Sequence, residues 1–156
     1  MLGPEREFLI DKLGFQRVGL GTAMSVDHQV LAAIGLATLQ VRMERVAENA
    51  ERLAAMLENH PNVKAVYHPH RGGVLSFVRD GGLHAAEQVL NRLALFERLE
   101  GPLGLVSSVE HPVLMHFASV PSEIRTGMAL RNGLFRLWCG VEDTDELIRD
   151  LQAALF

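Results

Sequence analysis

The run GLFRLWCGVED, residues 133–143, sets one arginine in the middle of an apolar strand pattern. With side chains alternating, Leu134, Arg136 and Trp138 share one face, and Phe135, Leu137 and Cys139 share the other. A guanidinium is rarely buried without a partner, so an anion is expected to meet Arg136. Two sources are open from the sequence: a carboxylate of this chain, or one carried by a ligand.

The remaining residues capable of chemistry are scattered. Seven histidines are present, and YHPHR at 67–71 is their densest cluster. Two histidines around a proline, with no Cys, Asp or Glu beside them, read as a polar turn and not as a metal site. His111 and His116 bracket an apolar stretch next to Glu110 and read as loop residues, not as a catalytic pair. No nucleophile stands with a base. The glycines of GPLG at 101–104, and the pairs at 72–73 and 81–82, mark turns, because none lies between a strand and a helix at a phosphate-binding spacing. No metal and no catalytic residue is therefore expected within this chain. Cys139, the only cysteine, excludes an internal disulfide and reads as a small core residue, consistent with a reducing compartment.

The elements that must position Arg136 follow from periodicity. At 156 residues, with 48% hydrophobic and 22% charged content, the chain has room for one domain with its own core. A net charge of −4 offers no basic field for nucleic acid or an anionic membrane. No charged segment followed by an apolar run opens the chain, and VLAAIGLATL (30–39) is half the length that spans a bilayer, so a cytoplasmic protein without a membrane span is expected. PEREFLIDKLGFQRV predicts a short helix broken by GLGT. Ser25 caps the next helix, which meets no breaker stronger than Gly35 until NHPN at 59–62. That predicts about 34 helical residues, about 50 Å of helix. In its second half Val41, Val46, Ala50, Leu53, Ala54 and Leu57 form one stripe. In its first half, from Val30 to Leu39, the residues are apolar all round, and a helix of that kind needs protein on every side.

VKAVY and GVLSFVR predict strands, and GLHAAEQVLNRLALF predicts a helix with Ala86, Val89, Leu90 and Leu93 inward. Residues 97–120 read as irregular, with one or two short strands. PSEIRTGM opens as a helix would, the arginine strand follows, and Asp143 to Glu146 form a capping box ahead of DELIRDLQAAL. The expected class is α+β: a small antiparallel sheet with helices packed on one face, preceded by one long helix.

Three stretches together carry a resemblance: LQVRMERVAENAERLAAMLENHPNVKAVYHP, GGVLSF, and EHPVLMHFASVPSEIR running on to GLFRLWCGVEDTDELIRDLQAAL. In this order and separation they resemble the C-terminal part of the Cys/Met-metabolism PLP-dependent enzymes, among them cystathionine γ-synthase, cystathionine γ-lyase, methionine γ-lyase and O-acetylhomoserine sulfhydrylase. The resemblance runs from about Glu7 to Phe156. It implies the small domain of a fold-type I PLP enzyme over 25–156, with 1–24 a remnant of the large-domain helix and its connecting loop. It further implies that Arg136 binds the α-carboxylate of an amino-acid substrate, a task that a planar two-pronged donor suits better than lysine. The loop around Leu103 and Gly104 would shape the substrate pocket. Pyridoxal 5′-phosphate would belong to the assembled enzyme, carried by a large domain in the same or a separate chain, with a homo-oligomer expected.

This chain departs from the pattern in several places. It has two lysines, Lys12 and Lys64, and neither stands in the family's Ser-x-Thr-Lys setting, so no covalent cofactor link by this chain is expected. Pro102-Leu103-Gly104 replaces the family's Ser-Leu-Gly, the loop between Tyr67 and Gly72 is short, and Ile34 stands where an arginine is usual. Two functions from different classes follow. One is the C-terminal domain of an enzyme that eliminates or replaces at the β or γ carbon of sulfur amino acids or homoserine esters, inactive alone. The other is a stand-alone non-catalytic module that binds a partner protein or an amino acid.

Overall fold

The computed structural model describes residues 6–102 and 104–156. The chain divides into two compact units, Met1–Leu39 and Gln40–Phe156. The first holds α1 (Arg6–Gly19) and α2 (Val26–Ala37). Ser25 caps α2 as its sequence position predicts, its side chain accepting from the N–H of His28 at 3.3 Å. Neither helix has a buried residue, and Val30, Leu31, Ile34 and Leu36 are all exposed.

The helix expected to run unbroken to residue 58 is interrupted. α2 ends at Thr38, with φ −99° and ψ 1°, and α3 (Leu39–Glu58) begins at the next residue. The Thr38 hydroxyl donates to the carbonyl of Ile34 at 3.0 Å, a side-chain bond of the kind that competes with the helical ladder. Within α3 the buried stripe is Val46, Asn49, Ala50, Leu53, Ala54 and Leu57. Val41, expected on that stripe, is exposed, and Asn49 joins it.

The second unit continues with β1 (Val63–Tyr67), β2 (Val74–Arg79), α4 (Gly82–Arg92), β3 (Glu97–Arg98), β4 (Ser108–Glu110), α5 (Pro112–Met115), α6 (Ser122–Gly127), β5 (Leu134–Trp138) and α7 (Thr144–Leu155). The five strands form one sheet in the order β1-β2-β5-β4-β3, antiparallel except for the short β3–β4 pair, which is parallel. The stretch 97–120, expected to be irregular with one or two short strands, supplies two such strands, β3 and β4, and the single turn α5.

One face of the sheet is the core. Leu75 and Phe77 of β2, Val109 of β4 and Phe135 and Leu137 of β5 pack with Leu53 and Leu57 of α3, Val89 of α4 and Leu147 and Leu151 of α7. The Phe77 and Phe135 rings stack at 5.0 Å across paired strands. Each large apolar side chain buried here is worth about 1.5–3 kcal/mol. Cys139 lies just past β5 at the same core, and burial pushes its thiol up to about 12, so it is an inert packing residue. Gly133, at the entry to β5, is required by closeness: a Cβ there would stand 2.0 Å from the Arg79 carbonyl oxygen.

A buried polar clasp joins α3 to the segment ahead of α7. The Asn49 amide donates to the carbonyls of Gly140 and Glu142, both at 3.0 Å, and its oxygen accepts from the Thr144 hydroxyl. Asp143 then caps α7, accepting from the N–H groups of Asp145 and Glu146 at 3.0 and 3.1 Å. Replacing Asn49 by Ala removes three bonds and leaves their partners buried, so Asn49→Ala is expected to lower unfolding stability by about 2–3 kcal/mol. Urea denaturation checks this; a loss under about 0.5 kcal/mol would show the clasp to be dispensable.

Candidate functional site

With Phe135 and Leu137 committed to the core, the alternation of β5 turns Arg136 and Trp138 to the opposite face of the sheet. Register decides what Arg136 meets. Ser76 on β2 pairs with it from one side, and Glu110 on β4 pairs with it from the other. The Arg136 Nη1 donates to Glu110 Oε2 at 3.3 Å. The Glu110 side chain is 3% exposed, whereas that of Arg136 is 42% exposed. The first anion considered for Arg136, a carboxylate of this chain, is therefore present, but one long contact engages a fork that offers five N–H donors. The Trp138 ring, two residues on, lies 5.7 Å from the guanidinium carbon, near enough for cation–π attraction.

The segment after β4 is held by a histidine. His111 is fully buried, and its Nδ1 accepts from the N–H of Leu114 at 3.1 Å, capping α5. That fixes the ring hydrogen on Nε2, which donates to the carbonyl of Asn132 at 3.1 Å. The ring also stands edge-on to Phe135 at 4.9 Å. Burial lowers the His111 pKa below the usual histidine value, more than its backbone bonds raise it. So anchored, α5 delivers His116 to the open side of the sheet. Its Nε2 lies 3.5 Å from Glu100 Oε2 and 3.6 Å from Glu110 Oε1.

These groups line one side of a hollow of about 390 Å³, and Phe117, Met128 and Leu130 supply apolar wall. A second hollow of about 280 Å³ is mostly apolar, with Met43, Val74, Pro102, Gly104 and Trp138 around it. Of the residues singled out from sequence, Arg136 faces the first hollow and Gly104 the second, while Leu103 lies outside the described residues. The loop carrying Glu100, Pro102 and Gly104 borders both. The sequence pattern places Glu110 and His116 in a loop and gives Glu100 no signal. Their meeting with Arg136 depends on the register of a three-residue strand, for which the only signal was the apolar run before EHP. His68 and His70, by contrast, approach each other at 5.4 Å within their turn. The lining of the first hollow contains no lysine. Lys64 is paired with Asp80 at 2.8 Å on an exposed stretch, and Lys12 stands over the Phe8 ring in α1.

Residues 5–156 match the family model described as Cys/Met metabolism PLP-dependent enzyme. The chain belongs to that family. It is 34% identical to the cystathionine beta-lyase of Coxiella burnetii over 97% of its own length and 43% of that protein's. It is 38% identical to the cystathionine gamma-lyase of Sus scrofa over 96% of its length and 41% of that protein's. Among solved structures, the cystathione gamma lyase of Micromonospora echinospora matches with a TM-score of 0.79 at 31% identity, over 89% of this chain and 40% of that one. The family member described here thus spans about two-fifths of the length of these relatives. Among the described residues no helix is long and apolar enough to cross a membrane.

The buried neutral histidines give this family member a pH signature. His60 is lowered by burial and by Arg79, and His111 by burial, so the unfolded chain binds protons that the folded chain refuses. Their contribution is complete above the unfolded value of about 6.5 and is lost as pH falls below it. Stability is expected to decline from pH 7 to pH 5, with a shallower decline in His111→Asn, which keeps a capping side chain. Thermal melts across that range check it; an unchanged slope in the variant would contradict the assignment.

Proposed function

We propose that this chain is the C-terminal part of a PLP-dependent enzyme acting on sulfur amino acids or homoserine esters by elimination or replacement at the β or γ carbon, and that Arg136 anchors the substrate's α-carboxylate. The observation that carries the reading is the half-exposed Arg136 guanidinium beside a partly apolar hollow, which among the described residues meets the Glu110 carboxylate at 3.3 Å. A ligand carboxylate could accept the unused N–H donors while Glu110 keeps the guanidinium in place. Trp138 and the loop at Gly104 would border the compartment for the rest of the substrate, the role proposed for the loop that includes Leu103.

Bound pyridoxal phosphate supplies the electron sink for such reactions. What supports placing its covalent anchor elsewhere is that the lining of the Arg136 hollow includes no lysine, while Lys64 lies beside Asp80 on an exposed stretch and Lys12 lies in α1. We therefore assign the cofactor to a large PLP-binding domain, in the same or a separate chain, and expect this chain to be inactive alone. The exposed apolar residues from Val30 to Leu39 are the surface we assign to that assembly, which we expect to be a homo-oligomer. A second reading, a stand-alone module that binds a partner protein or an amino acid without catalysis, is favoured by Glu110 already supplying Arg136 with an anion.

Two experiments separate these readings. In the assembled holoenzyme, Arg136→Lys is expected to lower kcat/KM for the amino-acid substrate on the order of 100-fold, chiefly through KM, because a point charge replaces a fork. Steady-state kinetics within about twofold of wild type would reject Arg136 as the anchor. Leu36→Asp places a charge on the apolar surface and is expected to abolish association with the PLP-binding domain in sedimentation velocity. Association that survives unchanged would remove that surface from the interface.

A further inference from the structure

On the open face of the sheet the Arg136–Glu110 pair has a neighbour that the proposed substrate reading does not use. The Glu110 side chain is 3% exposed, and its Oε2 takes the Arg136 contact. His116 Nε2 faces Oε1 at 3.6 Å and Glu100 Oε2 at 3.5 Å. Both separations exceed the 2.7–3.2 Å of an N–H···O bond, so these side chains are neighbours and not hydrogen-bonded partners.

We propose that Glu100, Glu110 and His116 form a zinc site. One imidazole nitrogen and two carboxylate oxygens are a donor set that suits Zn²⁺. Bonds of about 2.0–2.2 Å at tetrahedral angles set ligand atoms about 3.3–3.6 Å apart, which both measured edges satisfy. The three ligand atoms lie within 4.8 Å of one another, and the longest edge closes by movement of Glu100, whose side chain is 65% exposed and free to swing. Arg136 serves as the outer partner that orients Glu110, holding Oε2 so that Oε1 points at the metal. Two carboxylates, one guanidinium and Zn²⁺ leave one positive charge, which an anion in the fourth position neutralises. The inference needs only this chain's own residues and stands whether or not Arg136 anchors a substrate.

Equilibrium dialysis of the full 156-residue chain against zinc chloride, after metal stripping, tests the site. One zinc per chain is expected, weakened about tenfold or more by His116→Gln and by Glu100→Gln. Glu100→Gln alters a mostly exposed side chain, so its fold is preserved even where His116→Gln perturbs packing. A His68→Gln/His70→Gln variant controls for capture by the two turn histidines and is expected to bind zinc as wild type does. Absence of zinc binding, binding indifferent to Glu100→Gln, or binding lost only in the His68/His70 variant would each overturn the proposal.

Discussion

The structure depends on the alternation of β5 at the centre of the sheet. Phe135 and Leu137 must be buried against α3, α4 and α7, and once they are, the backbone leaves no freedom about where Arg136 and Trp138 point. A one-residue slip would drive a guanidinium into the core and expose two of its large side chains. Register is thus set by hydrophobic burial on one face, and the chemistry of the other face is its consequence.

The same register brings Glu110 beside Arg136 and gives the site its charge logic. A carboxylate as withdrawn from water as Glu110 requires a partner, and the cross-strand guanidinium is that partner. Arg136 itself stays half in solvent, so it can hold Glu110 and still receive a second anion. Around this pair the supports are structural: His111 pins α5 by two ring bonds, and Asn49 ties α3 to the turn before α7.

The arginine strand, its two faces, the capped terminal helix and the inward side of α4 were legible because period and capping are local signals. The interruption at Thr38 was not, since it is a single residue off helical geometry inside a long apolar run. Val41 was misplaced on the α3 stripe for a related reason: it lies only three residues past that break, where the buried face has not yet begun. The Glu100, Glu110 and His116 grouping was invisible because it joins a loop, a short strand and the end of a single helical turn. Only pairing across β4 and β5 places them together. The exposed apolar surface of α2, in contrast, could be anticipated directly from residues apolar on every side.

The functional proposal turns on Arg136 receiving a substrate carboxylate. The most direct measurement is a crystal structure of the assembled holoenzyme with an unreactive amino-acid analogue bound. The analogue's carboxylate is expected about 2.7–2.9 Å from the Arg136 guanidinium nitrogens, with Glu110 still alongside. A carboxylate bound elsewhere, with Arg136 paired to Glu110 alone, would contradict it.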